Sequence, residues 1–284
     1  MIHIHNLSFG YKKGNLLFQN LHLSLSRGHI YGLLGKNGAG KSTLLKNMIG
    51  LAYPRAGTCT IDGADASRRS PQVLENLFFL PEEIYVPALT TAQFVANTAC
   101  FYPNFNEQEF YGYLTEFEVP RQGRLDKLSF GQQKKVMIAF GLATNTDLLV
   151  MDEPTNGLDI PSKAQFRKSI ASALTSERCI IISTHQVRDL ESLIDTLVVL
   201  HDREVVVNQE LDKIGEKLLF TTLAVTDGYE VLYAEDSFQG KHVILPNQDG
   251  IYSRVDMELF FNAIISGNRP LLQMLNQNQL ENAI

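Results

Sequence analysis

The sequence predicts an α/β fold: a mostly parallel sheet wrapped by helices, with an antiparallel β layer, a helical subdomain and a small C-terminal α+β extension. Three observations carry that prediction. Short apolar runs at 30–34, 77–80, 148–151 and 179–182 read as strands buried on both faces, and stretches long enough for helices separate them. Two other runs alternate instead, Ile2 and Ile4 with His3 and His5, and Leu21, Leu23 and Leu25 with His22, Ser24 and Ser26. Period two marks half-buried strands. The third observation is the string Gly35-Lys36-Asn37-Gly38-Ala39-Gly40-Lys41-Ser42, which follows the first buried strand and opens a helix.

Taken in order, residues 10–15 supply a turn that lets the two alternating runs pair beside the main sheet. His3 and His5 share a face of their strand, and with no third ligand near them they read as a solvent-facing pair. A helix over 42–49 stops at Gly50, a strand over 59–61 precedes the Asp62-Gly63 turn, and the 77–80 strand stops at Pro81. Helices over 91–100 and 107–118 flank Phe101-Tyr102-Pro103-Asn104-Phe105 and define a helical subdomain over about 88–145, with Phe110, Tyr111, Tyr113 and Phe117 as core aromatics. Pro161 suits the first turn of a helix running to 174, and 197–200 and 205–207 form a hairpin about Asp202-Arg203. Beyond it come a helix over 211–218, strands over 219–225, 230–233 and 242–245, a helix over 256–265 and a Gln/Asn-rich end. The expected division is one large domain over 1–209 and an accessory unit over 210–284.

Composition narrows the class. Hydrophobic residues make up 44% of the 284 residues and charged ones 20%, ordinary usage for a soluble globular chain. A net charge of −6 argues against nucleic acid as the main partner, because that binding rests on a basic surface. No run of eighteen apolar residues occurs, and Met1-Ile2-His3-Ile4-His5 lacks the basic-then-apolar pattern of a leader, so a cytoplasmic location is expected. Cys59, Cys100 and Cys179 have no paired spacing and read as reduced packing residues.

The glycine-rich string has the chemistry of a phosphate cradle. Its glycines let backbone N–H groups turn inward, Lys41 reaches terminal phosphates, and the Ser42 hydroxyl can ligate Mg²⁺. The helix that follows points its positive end at the same anion. The 148–151 strand delivers Asp152 and Glu153 at its carboxyl end, where open α/β sheets bind ligands. Between these strings lies Leu128-Ser129-Phe130-Gly131-Gln132; after them come Asn156-Gly157-Leu158-Asp159 and His185.

With these five motifs in one order, residues 1–210 resemble the ATP-binding-cassette ATPases, and the resemblance implies a P-loop NTPase fold that binds ATP and Mg²⁺. By that resemblance Tyr11 stacks on adenine, while Gly35, Asn37, Gly38, Ala39, Gly40, Lys41, Ser42 and Thr43 hold the phosphates. Ser42 and Asp152 serve the metal, Glu153 polarises the attacking water, and His185 contacts the γ-phosphate. Ser129, Gly131 and Gln132 are expected at the nucleotide of a second copy, with Asp159 at the same interface. Two positions depart from the family pattern. Phe130 stands where a glycine is usual, so its ring must turn away from the nucleotide. Glu82 stands where a glutamine normally touches metal and water, and is expected to act as a metal-dependent gate.

The implied function is the ATP-hydrolysing subunit of a transporter, peripheral to the cell membrane through separate membrane-spanning subunits and closing on a second copy when ATP binds. Two alternatives stay open at this point: a non-transport cassette ATPase acting on ribosomes or DNA, and an ATP-binding regulatory module with little turnover.

Overall fold

A computed structural model describes residues 1–12, 14–238, 240–248 and 250–281. Strands β1 (Ile2–Phe9) and β2 (Phe18–Leu25) bury Ile2, Ile4, Leu21, Leu23 and Leu25 and leave His3, His5 and His22 exposed, as the period-two pattern requires. Strand β3 (Ile30–Leu34) is wholly buried, and the glycine-rich loop after it leads into α1 (Lys41–Met48). Next come β4 (Ala56–Ile61), β5 (Ala64–Asp65), α2 (Pro71–Leu74) and β6 (Leu77–Leu80).

The helical subdomain begins with α3 (Thr91–Thr98), started by a capping box in which Thr90 and Gln93 satisfy each other's backbone N–H. It ends earlier than expected, because residues 99–101 tighten into a 3₁₀ turn before Pro103. Asn106 caps α4 (Glu107–Glu116), and Ser129 caps α5 (Phe130–Ala143). Around Phe140 the rings of Phe94 and Phe105 sit at about 5 Å, with those of Phe110, Phe78 and Tyr102 near 6 Å. Phe110 and Phe117 are buried, and Tyr111 and Tyr113 are half-buried against the same core.

Strand β7 (Leu148–Asp152), α6 (Ile160–Ala173), β8 (Cys179–Thr184), the short α7 (Val187–Leu190), β9 (Thr196–His201) and β10 (Glu204–Glu210) complete the larger part. After them follow α8 (Leu211–Lys217), β11 (Leu218–Leu223), β12 (Tyr233–Ser237), β13 (Gly240–Pro246), α9 (Met257–Ile265) and α10 (Arg269–Glu281). The strand expected over 230–233 lies instead at β12. Leu232 packs on the core and donates its N–H to Ile244 O, and the hairpin register with β13 places the ladder after it. The Gln/Asn-rich end is helical in α10 as far as Glu281, and its last three residues lie outside the described residues.

Among the described residues three sheets form: β2-β1-β4-β5, β10-β9-β3-β8-β7-β6 and β11-β13-β12. In the central sheet β9, β3, β8, β7 and β6 run parallel, with β10 antiparallel at one edge. Its two faces bury different partners. Leu33, Val150, Ile181 and Val198 pack with α1 and the antiparallel layer, whereas Leu34, Leu149, Met151, Ile182 and Leu197 pack with α5, α6 and the helical subdomain. Ile214, Leu218, Ile244, Phe260 and Ile264 of the C-terminal segment continue that second core without a break. Cys59 and Cys179 are buried, but Cys100 is exposed within the 3₁₀ turn and is not a packing residue.

Candidate active site

Register brings the site together. Leu34 pairs with Thr184 and Asp152 with Ser183, so the carboxyl ends of β3, β7 and β8 meet at one edge. The chain leaves β3 through Gly38 (φ 81°) and Gly40 (φ 107°), left-handed conformations that favour glycine. Gly40 is the N-cap of α1 and supplies no side chain, which leaves the helix's first N–H groups for an outside anion. Lys41 folds back over the loop, its Nζ donating to Gly35 O at 2.9 Å. Ala39 N–H closes a turn on Lys36 O.

An open cleft of about 700 Å³ lies above this loop, lined among others by Tyr11, Asn37, Lys41, Ser42, Glu82 and His185. Gly38, Gly40, Thr43 and Glu153 also face it. The Tyr11 hydroxyl and Thr43 Oγ1 are hydrogen-bonded at 2.9 Å, while the Tyr11 ring packs edge-on against Phe9 and stays mostly exposed. That exposed face is what a base would stack on.

Glu153 is the electrostatic centre. Its Oε1 accepts from His185 Nδ1 at 2.9 Å and lies 3.6 Å from Lys41 Nζ, and its Oε2 accepts from Thr184 Oγ1 at 3.2 Å. The side chain is only 5% exposed, so few waters screen these charges. Its backbone is unusual, with φ 47°, and the amide donates to Ser183 O and Oγ. Asp152, also buried, accepts a hydrogen bond from Ser183 Oγ. Glu82 lies across the cleft and accepts from Asn156 Nδ2 at 3.2 Å.

Ser42, Asp152 and Glu82 offer hydroxyl and carboxylate oxygens, the donor set a hard divalent cation prefers. No group of three or more His, Cys, Asp or Glu able to hold a metal occurs among the described residues. A cation here would therefore share its ligands with phosphate oxygens, which is how Mg²⁺ usually binds.

Ser129, Gly131, Gln132 and Asp159 do not line this cleft. Ser129 and Gln132 form a capping box at the start of α5: Ser129 Oγ accepts from Gln132 N–H and Gln132 Oε1 accepts from Ser129 N–H. Among the described residues the Ser129 hydroxyl donates to no partner, and the residue is exposed. Asp159 caps α6 by accepting from Ser162 N–H at 3.0 Å, and these hydrogen bonds hold its carboxyl below the usual range. The Phe130 ring packs on Gly157 of the same chain. Sequence reading missed Ser183 and Thr184, which orient the two acids, Arg203, which borders the cleft, and Lys134. Ser183 and Thr184 close β8 just before His185, and their hydroxyls at a strand end were the available signal. A lysine four residues into a surface-reading helix gave none.

The loop, its helix and the paired acids define a P-loop nucleotide hydrolase. Residues 18–156 match the family model described as ABC transporter. That segment is an ATP-binding domain of the ABC transporter family. It is 26% identical to the ABC transporter ATP-binding protein YtrB of Bacillus subtilis (strain 168) over 213 residues, 74% of this chain and 73% of YtrB. A solved ATP-binding subunit of an ABC transporter is 28% identical, with a TM-score of 0.68 over 75% of this chain and 91% of that one. A dimeric ATP-binding cassette in a post-hydrolysis state bound to ADP and phosphate shares the fold, at 23% identity and a TM-score of 0.66, covering 74% of this chain and 99% of that one.

Proposed function

We propose that this chain hydrolyses ATP to drive a transporter whose membrane-spanning subunits are separate polypeptides, at whose cytoplasmic face it sits. The observation that carries the reading is the cleft in which Lys41, Glu153 and His185 converge on a helix N-terminus. No helix among the described residues is long and apolar enough to cross a membrane.

In this account α1 and Lys41 hold the β- and γ-phosphates, and the phosphate takes over the ammonium that now stands beside Glu153. Glu153 then accepts a hydrogen bond from the attacking water, and His185 donates to the γ-phosphate oxygens that gain charge. Mg²⁺, held by Ser42, Asp152 and Glu82, would neutralise charge between the phosphates. Ser129 and Gly131 of a second copy present the N-terminus of its α5 to the γ-phosphate, with Gln132 fixing that cap and Asp159 beside it. A two-fold pair of cassettes satisfies this self-complementary arrangement. Residues 1–209 carry the chemistry, and 210–284 form an accessory unit.

The surface we assign to the membrane subunits is the groove of about 650 Å³ between the central sheet and the helical subdomain, lined by Leu51, Leu74, Phe79, Phe101 and Pro103. Leu51 and Phe101 are 47% and 67% exposed there, which is costly for apolar side chains without a partner. Purification from detergent-solubilised membranes tests the assignment. Recovery of an integral membrane protein, lost on Phe101→Asp, supports it; recovery of ribosomes or nucleic acid alone overturns it.

A further inference from the structure

Lys134 has no exposed surface, although it lies only four residues after Phe130 in α5. Its Nζ donates to Glu153 O at 2.7 Å and to Asn156 O at 3.2 Å, the first and last residues of the turn that leaves β7. That turn begins with Glu153 in a left-handed conformation, which is uncommon for a residue with a side chain and persists only where its surroundings hold it. Two anchors do so. The Glu153 N–H is fixed by Ser183, and its carbonyl accepts from Lys134 Nζ at 2.7 Å and, across the turn, from Asn156 N–H at 3.3 Å.

A buried ammonium whose hydrogen-bond partners are neutral carbonyls costs free energy to desolvate, and a methionine of similar volume would fill the space without that cost. Packing alone does not explain a lysine here. Glu82 supplies the missing charge: its Oε1 accepts from Asn156 Nδ2, and the same Asn156 gives its carbonyl to Lys134. Burial pushes the Lys134 ammonium below its ordinary value, and the carboxylate that most opposes this is Glu82, followed by Glu153 and Asp152. The Phe130 ring lies 5.9 Å from Nζ, within cation–π range, and covers the turn by packing on Gly157.

We propose that Lys134 is a positioning residue for Glu153, latching the 153–156 turn by its two carbonyls, and that Glu82 is its charge partner across Asn156. The two departures at Glu82 and Phe130 thereby belong to one assembly around Lys134. It rests on the hydrolytic reading of the cleft.

Lys134→Met removes both hydrogen bonds and the charge. Its kcat for ATP falls on the order of tenfold to a hundredfold, the size of effect that a slightly misplaced catalytic group produces, while KM stays within about threefold. At Mg²⁺ saturating for each protein, Lys134→Met costs less in a Glu82→Gln background than in the wild-type background, because the carboxylate no longer stands beside the acids without its cation. Where Lys134→Met melts below the assay temperature, Lys134→Gln carries the same comparison. Backbone hydrogen exchange across residues 150–158 of nucleotide-free protein reads the latch without turnover and quickens in both variants. Absent turnover in the wild-type protein counts against the hydrolytic reading alone, since exchange still decides the latch. Unchanged kcat, unchanged exchange, or a loss that Glu82→Gln leaves as it is or deepens overturns the proposal.

Discussion

Replacing Glu153 by glutamine separates what this side chain does in the empty cleft from what it does in the reaction. Glutamine keeps the shape and an oxygen for Thr184, but loses the charge shared with Lys41 and the capacity to accept a proton from water. Removing a positioned base lowers kcat about 10²- to 10⁴-fold, or roughly 2.7 to 5.4 kcal/mol on the barrier. The cost to the resting protein is smaller. At the observed 3.6 Å and an effective dielectric near 20, the Lys41–Glu153 attraction is roughly 4.6 kcal/mol, and desolvation of two buried charges offsets much of it. Because Lys41 keeps its bond to Gly35 O, the net loss should be on the order of 1–3 kcal/mol, a few degrees in melting temperature. ATP affinity should hold or rise, since the ammonium no longer has a carboxylate to leave. Phosphate release, nucleotide titration and thermal melting measure these three quantities on one preparation. Turnover within tenfold of wild type, or an ATP affinity that falls as far as the turnover, would refute the assignment of Glu153 as the group that activates water.

Three further outcomes follow from the structure. Phe140→Ala empties the centre of the aromatic cluster and should destabilise the protein by about 3–5 kcal/mol in urea titration; a loss under about 1 kcal/mol would show that the helical subdomain is not packed around this ring. Burial pushes the Cys59 and Cys179 thiols up to about 12, so a thiol reagent at mildly alkaline pH should label Cys100 rapidly and the other two only after denaturation. Fast native labelling of all three would contradict the burial of β4 and β8. Glu82→Gln should change the Mg²⁺ concentration needed for half-maximal turnover, and an unchanged curve would remove Glu82 from the metal site.

The strands β3, β6, β7 and β8 were legible because burial on both faces forces nearly continuous apolar runs. The antiparallel layer was legible for the opposite reason, one wet face and one dry. Where pairing decides, the pattern is silent. Ala56, Gly57 and Thr58 are exposed residues that β4 gains by pairing with β1, and β12 is set by its hairpin with β13. At the site, Lys41, Ser42, Asp152, Glu153 and His185 declare themselves because phosphate and water chemistry demand those groups at those spacings. Lys134 does not, since a lysine in a helix reads as solvated and only the folded turn over it gives the ammonium something to hold.

If each nucleotide site is completed by a second copy, as proposed, ATP should hold two chains together. Light scattering on size-exclusion chromatography of Glu153→Gln with Mg²⁺ and ATP measures this, with the double variant Glu153→Gln/Ser129→Arg run beside it. The first should form an ATP-dependent dimer and the second stay monomeric, because the longer side chain at 129 would block the α5 N-terminus proposed to meet the partner's γ-phosphate. A monomer in the first case, or an ATP-dependent dimer that ignores the change at Ser129, would contradict it.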